Sequence, residues 1–223
     1  MGEPALERLR QGPVLCDGAM GTVLYARAGA SLMHGRCFDE LTLTAPDLVQ
    51  QIHRQYILAG AEIIETNTFG ANAAKLAYEA RDIAGRSVFV AGAVGPSGQP
   101  VAPTARDDEP RLAALRAIFR EQIEGLMEGG ADLLILETFS SLTELRQAAL
   151  AAREVGDLPV VAQMTFAEDG QSLSGETPAQ AARALALLGV NVIGANCSIG
   201  PAGILDAVVE MAATLREMGI DPE

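Results

Sequence analysis

Residues 192–201 read VIGANCSIGP, and this stretch decides the fold. A short apolar run ends at Asn196 and Cys197, and Gly200-Pro201 then opens a helical pattern. This order predicts a buried strand that leaves a sheet at Cys197 and continues into a helix. α/β proteins keep their chemistry at such strand ends, although a lone cysteine is also common as a small packed hydrophobe.

The same order of strand and helix recurs along the chain. Apolar runs that predict strands, each with a helical pattern behind it, cover residues 14–16, 62–70, 88–94, 132–138 and 159–166, and a sixth run opens at residue 192. Such alternation favours an all-parallel α/β layout. No glycine-rich dinucleotide motif or phosphate loop follows the first run. The sequence therefore predicts a (β/α)8 TIM barrel, in which residues 1–223 form one domain and supply about six βα units.

Polar side chains stand where these predicted strands end. In a (β/α)8 barrel the carboxyl ends of the strands converge on one mouth, so these residues are expected to gather there. Glu137 is the clearest case, because four apolar residues deliver its carboxylate close to the core, where a charge needs a partner or a ligand. The polar residues at strand ends are Asp17, Thr66, Asn67, Thr68, Glu137, Asn196 and Cys197.

Residues near the first strand carry two further expectations. Because strand side chains alternate, Asp17 is placed at the open end of the strand and Cys16 is expected to pack outward against helices. Residues 17–22 are expected to form a loop, and residues 27–44 an irregular segment. Within that segment His34 and Cys37 match no standard zinc spacing and are expected to be solvated loop residues.

Several helices carry recognisable start signals. Thr44 is expected to cap a helix that opens with Pro46 and ends at Gly60, with His53 on a half-exposed face. Residues 71–84 are expected to form an alanine-rich helix. Ser141 and Glu144 have the spacing of a capping box.

Composition restricts the partners and the compartment. The formal charge of -13 over 223 residues, without a basic cluster, argues against nucleic acid as a partner. Three cysteines, no secretory leader and no apolar run of membrane-spanning length predict a reducing, cytoplasmic location without a membrane or a disulfide framework.

Five motifs in this order resemble the homocysteine-binding domain of the homocysteine S-methyltransferase family. They are DGAMGT at 17–22, ETNTFGAN at 65–72, GP at 95–96, GADLLILET at 130–138 and GANCSIGP at 194–201. The resemblance is strongest to bacterial members that carry further cobalamin, folate or reductase domains. It implies a zinc-bearing (β/α)8 barrel that methylates homocysteine to methionine.

The resemblance also implies roles for individual residues. Cys197 matches the first of three zinc-binding cysteines, and Asp17 and Glu137 match the acids that hold the substrate amino group. Thr68 and Asn196 match polar positions near the pocket. Backbone N–H groups in the loop from Gly18 are suited to receive the substrate carboxylate, as glycine-rich turns do for anions.

The cofactor and the partners follow from the same likeness. Zinc is expected as the metal, homocysteine as the substrate, and methylcobalamin or methyltetrahydrofolate, held by another domain, as the methyl donor; S-methylmethionine or a betaine would also serve. The family carries its other two zinc ligands as a Cys-Cys pair in a glycine-rich stretch after the seventh strand; of this set residues 1–223 contain Cys197, which Cys16 and Cys37 do not complete, and about six of the eight βα units are visible in them.

Two other functions stay open on the sequence alone. One is an amino-acid-binding or assembly domain that keeps Asp17 and Glu137 without a full zinc site. The other is an unrelated barrel enzyme such as an aldolase or a lyase. A Schiff-base aldolase needs a lysine on a strand, and the only lysine, Lys75, lies in a predicted helix.

Overall fold

The computed structural model describes residues 4–28, 38–68, 87–101 and 110–222. The chain divides into two compact units, Met1–Ala93 with Glu124–Leu133, and Val94–Ile123 with Leu134–Glu223. The helix expected over 71–84 and the pair His34 and Cys37 lie outside the described residues. Within the described ranges, no helix combines the length and the apolar character that a membrane crossing requires.

The first unit contains short helices and a pair of parallel strands. Its strands pair in the register Ile63 with Phe89 and Glu65 with Ala91. The run at 14–16 forms less strand than predicted, since Cys16 makes a single parallel bridge to Ile63. The elements are α1 (Ala5–Arg10), α2 (Met20–Ala28), a 3-10 turn (Phe38–Glu40), α3 (Leu41–Thr44), α4 (Pro46–Ala59), β1 (Ile63–Glu65) and β2 (Phe89–Val94).

The second unit alternates strands with helices. Its three strands are parallel, with Leu134 opposite Val160 and Val161 opposite Val192. The elements are α5 (Pro110–Glu128), β3 (Leu133–Phe139), α6 (Leu142–Val155), β4 (Val160–Met164), α7 (Pro178–Leu188), β5 (Val192–Ala195) and α8 (Pro201–Glu217). The predicted α/β alternation is confirmed.

The residues before β3 and β5, Asp132 and Asn191, make the same pair of hydrogen bonds to the neighbouring strand. In the first unit the Asp132 N–H donates to Val90 O (2.8 Å), and the Val90 N–H donates to the Asp132 carboxylate (2.8 Å). In the second unit Asn191 makes the same exchange with Val160, at 3.1 Å and 2.9 Å. A side chain that completes the ladder in this way sets the register of the strand behind it. The residues at the far end of each strand are placed accordingly.

β3 has a continuously apolar core side. Ile135, Leu136 and Phe139 are buried, and the ring of Phe139 lies 5.9 Å from the ring of Phe119 on α5 in a tilted arrangement. Such a pair contributes about 0.5–1.5 kcal/mol beyond the burial of its area. This packing holds β3 and leaves Glu137 and Thr138 half-buried.

The helix start predicted at Thr44 is wrong by one residue. Ala45 occupies the N-cap position of α4 without a side-chain cap, because Thr44 ends α3 and its hydroxyl donates to Glu40 O (3.0 Å). Gly60 closes α4 in the left-handed region at φ 115, as predicted. The loop expected over residues 17–22 is shorter, because α2 begins at Met20.

His53 is buried rather than half-exposed, so that prediction is wrong. Its exposed fraction is 1%, and among the described residues its Nδ1 has no hydrogen-bond partner. Burial lowers the pKa of His53 from 6.5 to about 4, because the protonated ring would lose its hydration.

Acid should therefore destabilise the fold through His53. The unfolded chain binds this proton more tightly than the folded one, so the contribution is complete above pH 6.5 and is lost as the pH falls towards 4. The loss should reach about 3 kcal/mol. Denaturant unfolding of the wild type and of His53→Leu at pH 7 and pH 4 measures it, with His34→Leu as the matched loss of a histidine. An equal acid loss in the wild type and in His53→Leu would contradict the assignment.

Of the two hydrogen bonds that a capping box contains, the one from the Glu144 N–H to the Ser141 hydroxyl forms at the start of α6. The Ser141 hydroxyl accepts from the Glu144 N–H (3.4 Å). The Glu144 carboxylate, whose residue is 5% exposed, accepts instead from the Ser97 N–H (2.8 Å) and the Ser97 hydroxyl (2.6 Å). A carboxylate in the first turn of a helix is stabilised by the helix dipole, and here it also anchors the loop behind β2.

Ser97→Ala should destabilise the protein by about 1.5–3 kcal/mol, because a buried carboxylate loses a charged hydrogen bond. Ser174→Ala is the matched control. The Ser174 hydroxyl donates to the neutral Ser140 O (3.1 Å), so its loss should cost about 1 kcal/mol. Urea unfolding of both variants gives the comparison, and equal losses would mean that the Glu144 contact carries no special weight.

Candidate functional site

A polar cluster in the second unit occupies the carboxyl ends of β3 and β5. Glu137 and Thr138 lie just before Phe139, the last residue of β3, and Asn196 and Cys197 follow β5. The Asn196 N–H donates to Met164 O (3.1 Å), and the Thr165 hydroxyl donates to Asn196 O (3.0 Å). The hydrogen-bond ladder between β4 and β5 thus continues to Asn196, and it fixes the backbone of Asn196 directly before Cys197.

The carboxamide of Asn196 joins the two strand ends. Its Oδ1 accepts from the Thr138 N–H (2.9 Å), which orients the amide. Its Nδ2 then lies 2.8 Å from Thr138 Oγ1, 3.3 Å from Glu137 Oε2 and 3.4 Å from Cys197 Sγ. One amide therefore holds a carboxylate, a hydroxyl and a sulfur in one place.

Three residues of this region have left-handed backbones without being glycine. Thr138, Cys197 and Ser198 have φ values of 61, 60 and 62. Among the described non-glycine residues they are the ones with positive φ. Each such residue costs about 1–3 kcal/mol, and such strain clusters at functional sites. For the β-branched Thr138 the conformation is a marked outlier.

The Cys197 sulfur is exposed and in contact with hydrogen-bond donors. Asn196 Nδ2 lies at 3.4 Å and the Thr138 hydroxyl at 3.6 Å. An accessible sulfur at a strand end suits a thiolate ligand for zinc. The described residues contain no group of three His, Cys, Asp or Glu side chains that could hold a metal, so Cys197 offers one ligand.

In the first unit Asp17 directly follows Cys16, the residue that bridges to Ile63 of β1. Its N–H donates to Ile63 O (2.9 Å), and its Oδ2 accepts from the Glu65 N–H (3.1 Å). Gly18 faces the Tyr56 side chain, where an added Cβ would lie 3.0 Å from ring and hydroxyl atoms. Close approach of Tyr56 thus explains the glycine without reference to a ligand.

Cys16 differs from the sequence expectation and from Cys197. Its side chain is exposed, so the predicted outward packing against helices is wrong. Loss of hydration around the sulfur and the charges of Glu65 and Asp17 nevertheless raise the pKa of the Cys16 thiol to about 11. The thiol is therefore protonated at neutral pH, which makes it a poor nucleophile and metal ligand.

The polar residues after β1 form a buried network of their own. The Thr66 hydroxyl accepts from the Ala93 N–H (3.0 Å), and the Thr68 hydroxyl, 2.5 Å from it, donates to Ala93 O (3.1 Å). Asn67 donates to Phe38 O and Thr42 Oγ1, both at 2.9 Å. Thr68 has an exposed fraction of 0%, and its hydroxyl joins the residues after β1 to Ala93 of β2.

The structure thus brings Glu137, Asn196 and Cys197 together within the second unit. The residue that the sequence did not reveal is Thr138, because its contacts are to Asn196 and Cys197, which lie 58 and 59 residues later in the chain. Asp17, Gly18 and Thr68 lie in the first unit, and their substrate roles stay predictions.

Parallel strands that alternate with helices and carry carboxylate, amide and thiol groups at their carboxyl ends define a protein of the α/β class, in which such strand ends hold the chemistry. The sequence matches the family described as homocysteine S-methyltransferase in two overlapping segments, residues 14–78 and 71–223. The chain therefore belongs to the homocysteine S-methyltransferase family.

Individual relatives agree with this assignment. The chain is 34% identical to a methionine synthase of Mycobacterium tuberculosis over 96% of its own length, but spans only 20% of that protein. It is 30% identical to betaine–homocysteine S-methyltransferase 1 of Sus scrofa, over 96% of this chain and 82% of that protein.

A solved structure gives the same result for the fold. The metallated form of the homocysteine methyltransferase MmuM from Escherichia coli superposes with a TM-score of 0.78 at 25% identity, over 95% of this chain and 84% of that one. This likeness confirms the predicted fold class.

Proposed function

We propose that this chain transfers a methyl group to the sulfur of homocysteine, giving methionine, and that Cys197 is a zinc ligand of the site. The carrying observation is the bridge through Asn196, which places the Glu137 carboxylate and the Cys197 sulfur around one amide. Methionine synthase and betaine–homocysteine S-methyltransferase among the relatives, and the metallated form of MmuM, support the proposal.

The chemistry requires a thiolate and a held amino acid. A free thiol has a pKa near 8.5 and is mostly protonated at neutral pH, so homocysteine needs help to become a nucleophile. Zinc held at Cys197 would act as a Lewis acid and keep the substrate sulfur deprotonated, without redox work.

Glu137 supplies the second requirement. A half-buried carboxylate at a strand end suits the ammonium group of an amino acid, because the pair neutralises both charges. The Asn196 amide at 3.3 Å fixes the carboxylate orientation. Glu137 therefore orients the substrate, and its removal should act on binding more than on methyl transfer.

For Asp17, Gly18 and Thr68 the proposed contacts to the substrate rest on the sequence motifs alone. Further zinc ligands would have to come from outside the described residues. The donor is proposed to be methylcobalamin or methyltetrahydrofolate carried by another domain, with betaine suggested by one relative. A cytoplasmic location stays a prediction.

Zinc content and methionine formation test the proposal together. The chain is purified without chelator, its zinc per chain is measured, and it is incubated with homocysteine and each donor: methylcobalamin, methyltetrahydrofolate, S-methylmethionine and betaine. We expect close to one zinc and methionine from at least one donor. Homocysteine binding without zinc and without methionine would instead support the amino-acid-binding domain.

A further inference from the structure

We propose that Thr138 is a positioning residue for the Cys197 sulfur and that it acts together with Asn196. This inference rests on the proposed function, since it concerns how the proposed zinc ligand is held. It also changes the role of Asn196 from contact with the substrate to support of the thiolate. The proposal rests on one observation: the Thr138 hydroxyl and the Asn196 amide both contact the exposed sulfur of Cys197.

The direction of each hydrogen bond follows from the donors. The Thr138 N–H donates to Asn196 Oδ1 (2.9 Å), so the other end of the amide is the NH2 group. That group donates to Thr138 Oγ1 (2.8 Å), which leaves the hydroxyl hydrogen of Thr138 for Cys197 Sγ at 3.6 Å. A thiolate has no hydrogen of its own, so Thr138 is the donor whenever the sulfur is charged or bound to a metal.

The Asn196 amide has no hydrogen to spare for a substrate. Its two N–H bonds face three acceptors within 3.4 Å, namely Thr138 Oγ1, Glu137 Oε2 and Cys197 Sγ. A saturated amide of this kind orients its neighbours instead of recognising a ligand. Glu137 and Cys197 are thus held relative to one another through a side chain that contacts both.

The backbone of Thr138 supports the same interpretation. Its φ of 61 is unfavourable for a β-branched residue and directs both its N–H and its hydroxyl to Asn196. A glycine would relieve the strain but would remove the hydroxyl. Retaining threonine at such a position is reasonable if the hydroxyl has a task, and groups that hydrogen-bond to metal ligands orient those ligands and tune them.

Thr138→Val and Thr138→Ser test the proposal in the full chain. Valine keeps the branched shape without the hydroxyl, and serine keeps the hydroxyl. Zinc affinity, measured by competition with a chelator, should fall by about 10- to 100-fold in Thr138→Val and stay close to wild type in Thr138→Ser. Equal zinc affinity in the wild type and both variants would overturn the positioning role.

A metal-free measurement separates this proposal from the proposed function. Alkylation of Cys197 by iodoacetamide at pH 8 is followed by mass spectrometry of its peptide. Thr138→Val should change this rate by about threefold or more, because the sulfur loses the hydroxyl that lies 3.6 Å from it and holds it in position. Thr138→Ser should restore the wild-type rate.

The outcomes differ for the two ideas. A wild-type chain that binds no zinc would end the zinc role proposed for Cys197, and the alkylation rates would still decide whether Thr138 positions the sulfur. Unchanged alkylation in Thr138→Val would refute the positioning role even if the wild type binds zinc and forms methionine. Thermal unfolding of both variants checks that they fold.

Discussion

Replacing Cys197 by alanine is expected to remove bound zinc and to lower methionine formation by more than about 100-fold, since even changes to groups behind a metal ligand cost 10- to 100-fold. The fold should survive, because the side chain is exposed and its loss opens no core cavity. Zinc per chain and the rate of methionine formation measure the effect, and circular dichroism verifies the fold.

Cys16 provides the matched control for this substitution. Its thiol is also exposed and also lies at the end of a strand segment, but its pKa of about 11 keeps it protonated at neutral pH. Cys16→Ala should therefore retain zinc and activity. Unchanged zinc content in Cys197→Ala would refute the ligand role assigned to Cys197.

Replacing Glu137 by glutamine is expected to raise the KM for homocysteine by about 10- to 100-fold and to change kcat much less. Glutamine keeps the size of the side chain and its contact with Asn196 but removes the charge that pairs with the substrate ammonium. A hydrogen bond to a charged group is worth about 1.5–3 kcal/mol, which corresponds to this factor. Steady-state kinetics with varied homocysteine, or calorimetric titration of homocysteine, measures it.

Glu121→Gln is the control for loss of a carboxylate. Glu121 is exposed on α5 and should leave both kinetic constants unchanged. A fall in kcat with an unchanged KM in Glu137→Gln would move this residue from substrate binding to the methyl-transfer step.

The sequence predicted the order of elements well. Strand β3 was recognisable because four consecutive apolar residues, Leu133–Leu136, have no amphipathic helical pattern and end in a carboxylate. The ends of α4 and α7 were recognisable because Gly60 and Gly189 take left-handed conformations that other residues avoid. Both signals depend on a few consecutive residues, so they can be read from the sequence without knowledge of the tertiary structure.

The expected location of the site was likewise readable in part. Glu137, Asn196 and Cys197 follow apolar runs, and parallel strands bring their carboxyl ends to one edge. What the pattern did not contain was Thr138, because its importance depends on an asparagine 58 residues later.

The sequence by itself determined where strands and helices form and which polar residues stand at strand ends, because periodicity and turn chemistry act over a few residues. Only the tertiary structure decided that Glu144 bonds to Ser97, that His53 is buried, and that Asn196 turns its amide towards Cys197. The physical reason is that packing between segments distant in sequence decides which side chains are buried and which partner a buried polar group meets, and the residues next to each side chain do not carry that information.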